Sequence, residues 1–182
     1  MKKFFLGLFF LIFCFIVSCS TVEKKIDEIA SKLRIYQIFL HKQASGKYQK
    51  LPLELRQIIQ PYYQEIDLQK VDYAENVDTV HGQGITIGYR IYFPRKINLD
   101  TYQDLRWMLH ELQHVVQYKR EGGELNFLKK YSKEAGKQIF INKSFSIHDN
   151  IHLEQEADQV AYQVLDLVWK DLWEKIKKKK GQ

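Results

Sequence analysis

The stretch His110-Glu111-Leu112-Gln113-His114 constrains this chain more than any other, because it carries meaning only on an α-helix. Residues four apart lie one turn above each other on one helical face. Two imidazoles so placed can share one metal ion, for which Zn²⁺ is the usual choice. Glu111, beside the first imidazole, can then take a proton from an attacking water. The flanking sequence supplies the helix. Leu105, Met108, Leu109, Leu112, Val115 and Val116 recur at three- and four-residue spacings and form a core-facing stripe. Asp100 with Gln103 three residues on reads as an N-terminal capping box, and Gly122-Gly123 as the stop. Read alone, the motif also fits two ordinary histidines on a half-buried helix, so further ligands decide between the two.

A tetrahedral zinc in a hydrolase takes three protein ligands and leaves one position open. The cysteines do not supply the third. Lys2 and Lys3 precede an apolar run from Phe4 to Val17, as in a secretory signal, and Ile16-Val17-Ser18-Cys19 closes it like the lipobox of bacterial lipoproteins. The expectation is that residues 1–18 are removed and Cys19 is lipidated. Cys14 then leaves with the signal, so neither a disulfide nor a cysteine-ligated metal remains. A plain signal peptide or an uncleaved anchor is the blander reading of the same residues.

The third ligand is expected near residue 154. The segment Asn150-Ile-His152-Leu-Glu154-Gln-Glu156-Ala-Asp158 opens a last helix running from about Ile151 to Lys177. Glu154 and Asp158 are four apart and share a face, so Glu154 can bind metal while Asp158 holds an imidazole of His110 or His114 in its tautomer. Glu156 stands roughly 160–200° away from both on a helix of 3.6 residues per turn. For stabilising a developing oxyanion, His148, His152, Tyr118 and Tyr162 are candidates, and His152 is preferred for its place at a helix start.

The remainder reads as an α+β domain, mostly helical, with a small sheet before the histidine-bearing helix. Thr21 to Lys42 has helical spacing, which also fits a short coiled-coil seam. Leu51 to Gln60 is a second helix, with Pro52 in its first turn and Pro61 at its end. Leu68 to Ala74 is a short strand. Ile85 to Phe93 alternates strongly enough for one long strand, with a turn at Gln83-Gly84 and a bulge or close backbone approach at Gly88. Leu125 to Ala135 is another helix. The division expected is residues 1–18 as signal, 19–45 as lipidated N-terminus and membrane-proximal helix, and 46–182 as one domain.

The whole chain carries a net charge of +6, or +4 without Lys2 and Lys3. The excess gathers in Lys175 and Lys177 to Lys180, a solvated tail that can also meet anionic headgroups. No nucleic-acid module is present in the pattern.

His110-Glu-Leu-Gln-His114 followed by Glu154-x-x-Ala157-Asp158 resembles the gluzincin branch of zinc metallopeptidases. Gln117 and Arg120 stand where the metzincin pattern needs Gly and His. More narrowly, Leu51-Pro-Leu-Glu-Leu55, Ile85 to Phe93, His110 to Gln117 and Leu153 to Asp158 resemble the core domain of extracellular contractile injection systems, over about residues 50 to 165. The resemblance implies a zincin-like fold, Zn²⁺ held by His110, His114 and Glu154, Glu111 as catalytic base, and a peptide or protein substrate. With Cys19 lipidated, the expected place is the cell envelope, on the outer membrane or the outer face of the plasma membrane. The alternative from another class is a non-catalytic lipoprotein that uses the same domain as a zinc- or partner-binding scaffold. A coiled-coil adaptor built on Thr21 to Lys42 is the third.

Overall fold

The computed structural model describes residues 34–79, 82–140 and 151–180. The signal sequence, Cys19, the start of the first helix and His148 lie outside the described residues. The chain parts into two units between His41 and Lys42. In the first, residues 34–41 are helical, and the helical run (α1) extends to residue 44. Everything below concerns the second, Lys42–Gln182.

That unit runs β1 (Gln49–Lys50), α2 (Leu53–Ile59), two single 3₁₀ turns (Gln60–Tyr62 and Leu68–Lys70), β2 (Asp72–Ala74), β3 (Ile85–Ile87), β4 (Arg90–Tyr92), α3 (Tyr102–Arg120), α4 (Glu124–Phe140) and α5 (His152–Lys180). It is α+β and mostly helical, with a small mixed sheet before the helix that carries both histidines, as the sequence predicts. The strand order is β1-β2-β4-β3, with β2 and β4 parallel and both outer pairs antiparallel. No helix among the described residues is long and apolar enough to cross a membrane.

Helix α3 is the axis of the unit. Its predicted stripe is buried throughout: Leu105, Met108, Leu109 and Leu112 are fully enclosed, Val115 and Val116 nearly so. Ala161, Val164, Leu165 and Val168 of α5 share one buried cluster with it, as do Leu55 and Ile59 of α2, Ile91 of β4 and Phe93 just after that strand. Tyr63, also buried, donates its hydroxyl to Leu109 O at 2.9 Å. Burial raises the ionisation of that phenol well above its ordinary value. Truncating an enclosed leucine such as Leu112 to alanine in a core of this kind costs about 2–5 kcal/mol.

Two local readings are corrected. The cap of α3 is Thr101 rather than Asp100: Thr101 has extended backbone and its Oγ1 accepts from Asp104 N. Asp100 stands one residue outside, its N–H bonded to Asn98 Oδ1. Asp104 is drawn toward the chain before the helix, where it receives Asn98 N at 2.7 Å and two nitrogens of Arg95. These bonds fix where the helix begins. At the other end, Gly122 and Gly123 both take positive φ, and their N–H groups return to Lys119 O and Tyr118 O, the predicted stop.

The second correction concerns Ile85 to Phe93, which is a hairpin and not one strand. Gly88 and Tyr89 form a two-residue turn, with φ of +59° at Gly88. Glycine at the first turn position is the type II′ signature. The turn pairs Thr86 with Ile91, so these two share the buried face, while Ile85 and Ile87 stand on the other face and are only half-buried. Leu68 to Ala74 likewise divides, into a 3₁₀ turn capped by Asp67 and a three-residue strand. Helix α4 runs past Ala135 to Phe140.

Candidate metal centre

His110 and His114 lie one turn apart on α3, and both are buried although they are polar. Their Nε2 atoms are 3.1 Å apart. Glu154, on the first turn of α5, reaches both: its Oε2 lies 3.2 Å from His110 Nε2 and 3.4 Å from His114 Nε2. The three residues form a group with one ligand atom each, all mutually within 4.8 Å. A tetrahedral ion with bonds of about 2.0–2.1 Å sets its ligand atoms about 3.3–3.4 Å apart. The spacing of the three atoms matches that geometry, so the residues present fit a divalent metal of the zinc type.

Each imidazole is oriented from behind. His110 Nδ1 is 3.0 Å from Asp158 Oδ1, which also receives Arg106 Nη1 at 3.2 Å. His114 Nδ1 is 2.8 Å from Gln117 Oε1. The amide of Gln117 can face only one way, because its Nε2 donates to Leu153 O at 2.8 Å and to Glu156 Oε2 at 3.1 Å. Its oxygen therefore accepts from His114 Nδ1. Both Nδ1 atoms serve as donors, and each Nε2 lone pair is left for an ion.

The charge balance points the same way. Burial by itself would lower His110, but Asp158, Glu154 and Glu111 outweigh it and hold the imidazole up at about 10. His114 shows the same contest and is also raised, burial opposing Glu154 and Glu111. Two buried carboxylates facing two imidazoles make a place that favours positive charge, which protons or a dication can supply.

The structure thus brings together His110, His114, Glu154, Glu111 and Asp158, with Asp158 behind His110. Glu156 lies away from the cluster, bonded to Gln113, Gln117 and Arg120. His152 is exposed on the first turn of α5, about two residues' rotation from the inward-facing Glu154. Tyr162 is exposed beneath the guanidinium of Arg106, and Tyr118 is buried against Phe127 with ring centroids 4.1 Å apart.

Three contributors escape a reading of the sequence. Gln117, at i+3 from His114, carries only the general signal of a helical neighbour. Thr86 donates to Glu111 Oε2 at 2.7 Å across 25 residues of sequence, with no local signal. Tyr131 of α4 is half-buried, and Glu154 and Glu111 are the carboxylates that act on its hydroxyl. Burial first, then the carboxylates of Glu154 and Glu111, push its ionisation well above the ordinary phenol value.

A mostly helical α+β domain with a buried His-His-Glu cluster of this geometry is consistent with the zincin-like class. Residues 51–122 match the family described as the eCIS core domain. The match takes in β2, β3 and β4 but not β1, includes His110, Glu111 and His114, and ends before Glu154, well short of the 50–165 span expected from resemblance. No curated protein and no solved structure shows significant similarity to the chain.

Proposed function

We propose that this protein is a zinc-dependent peptidase held at the cell envelope by a lipid on Cys19. The observation that supports it best is the convergence of His110, His114 and Glu154 beside a buried Glu111. Structural zinc sites are usually closed by four protein ligands, whereas three leave a position for reaction. Bound there, zinc would acidify a water and polarise the scissile carbonyl. The chain's own groups do the rest. Glu111 takes the proton of the attacking water and hands it to the leaving amine, as base and then acid. Gln117 and Asp158 keep the imidazoles aimed. Tyr131, through its hydroxyl at Glu154, is better placed than His152 to donate toward a developing oxyanion. An extended substrate would add to the outer edge of β3, which has no strand beyond it among the described residues.

The test is metal content and hydrolysis of the purified chain. About one zinc per chain is expected, lost from His114→Ala and Glu154→Ala. Fluorescently labelled casein should be cleaved, and Glu111→Gln should stop cleavage while zinc stays bound. A folded chain that takes up no zinc refutes the reading. For the anchor, incorporation of labelled palmitate should vanish in Cys19→Ala.

A further inference from the structure

Thr86 stands at the middle of β3 with its side chain toward α3. Its hydroxyl lies 2.7 Å from Glu111 Oε2 and 3.1 Å from Glu111 O, and both residues are buried. A carboxylate can only accept, so the hydroxyl donates. A hydrogen bond of this type, made to a charged group, is stronger than one between neutral partners. The other flank of the carboxylate is closed by main chain. A methyl group placed on Gly84 would overlap Glu111 Oε1 and lie 2.7 Å from Trp107 Nε1. The close backbone approach expected at Gly88 occurs here instead, where only glycine leaves room for the carboxylate.

The backbone of Thr86 faces elsewhere. Tyr89 O accepts from Asp72 N, and Phe93 N donates to Ala74 O. Main-chain groups alternate sides along a strand, so Tyr89, Ile91 and Phe93 face β2, while Arg90 and Tyr92 face β3. Their partners Ile87 and Ile85 face back toward β4. Thr86, between them, turns its N–H and C=O outward, to the side where no strand follows among the described residues.

We infer that Thr86 is the positioning residue for Glu111 and links it to the substrate-binding edge. The inference rests on the peptidase reading. One residue offers its main chain to an extended peptide and its hydroxyl to the base. A peptide paired along β3 therefore holds the strand, and with it the carboxylate, in the working position. Small amides that cannot pair with the strand lose this constraint.

Casein hydrolysis by the full chain tests it through Thr86→Val, which keeps shape and removes the donor. The turnover rate should fall about ten- to hundredfold, with KM within about twofold and zinc content unchanged. Thr86→Ser, which restores the hydroxyl, should recover most of the loss. An unchanged rate in Thr86→Val, or a loss that Thr86→Ser shares, overturns the inference. A second readout needs no turnover. In denaturant unfolding of the metal-free chain, Thr86→Val and Glu111→Ala should be non-additive by about tenfold in the unfolding constant, since each removes the same hydrogen bond. Additivity within twofold refutes the link. A chain that binds zinc and cleaves nothing counts against the peptidase reading, and the cycle still decides whether Thr86 holds Glu111.

Discussion

Replacing Gln117 by methionine isolates what orientation of a single imidazole contributes to metal binding. The side chain touches no proposed ligand atom. It accepts from His114 Nδ1 and is anchored in turn to Leu153 O and Glu156. Methionine fills a similar volume but offers His114 no comparable acceptor. Losing such a partner typically weakens metal affinity about ten- to hundredfold. Burial decides where in that range each variant falls. Gln117 is 2% exposed, so no solvent replaces it, and the expected loss is close to a hundredfold, about 2.8 kcal/mol. The Asp158 side chain is 47% exposed, so water can take over its contact with His110, and Asp158→Ala should lose nearer tenfold, about 1.4 kcal/mol. Competition for zinc against a colour-changing chelator at neutral pH reads both, with far-UV circular dichroism checking that each variant is folded. A Gln117→Met protein binding zinc within threefold of the parent refutes the reasoning. So does a larger loss in Asp158→Ala, because both outcomes detach affinity from the buried partner.

Two further expectations concern the start of α3. Thr101→Ala should destabilise the fold by about 1 kcal/mol, and Asp100→Ala by a few tenths at most, since only Thr101 caps the helix. Equal losses in thermal unfolding would restore the Asp100 reading. Asp104 is held below the ordinary carboxylate range by Arg95, against burial, with Asn98 N assisting. A lowered folded value means that its contribution is present above the ordinary value near pH 4 and disappears as pH falls through the folded one. Arg95 is half-exposed, so solvent screening limits that contribution to about 1 kcal/mol. Asp104→Asn should therefore lower stability at pH 7 and flatten its decline below pH 4, and a parallel pH profile in denaturant unfolding would contradict this.

Much of the centre was legible because α-helices carry their geometry in their spacing. The i, i+4 pair His110 and His114 must share a face, and so must Glu154 and Asp158. Once both helices are amphipathic toward each other, their polar faces at one level meet. The stripe of α3 was equally readable, since buried leucines at three and four residues admit one solution. What failed is what spacing does not encode. Spacing does not separate Asp100 from Thr101, because both are good caps, and the choice falls to Arg95 and Asn98, which bind Asp104 from outside the helix. The alternation of Ile85, Ile87, Tyr89, Ile91 and Phe93 passed for one strand because period-two alternation runs through a two-residue turn without a break. Gly88 is the signal, as the first residue of a type II′ turn, whereas spacing alone leaves it as a bulge or a close backbone approach.

That misreading bears on the chemistry. In a single strand, Thr86 would lie opposite the apolar residues, on the polar face, where its hydroxyl is unremarkable. Folding the strand at Gly88 reverses the assignment, since cross-strand partners share a face and Thr86 is paired with buried Ile91. The isoleucines of β3 turn away and the threonine turns inward, to the buried carboxylate of Glu111. A buried hydroxyl in this position meets a polar need, because a buried carboxyl oxygen left without a hydrogen-bond partner is costly away from water. The hairpin therefore delivers a donor to Glu111, and a single backbone reversal at a glycine connects the sheet to the centre that the histidine helix builds.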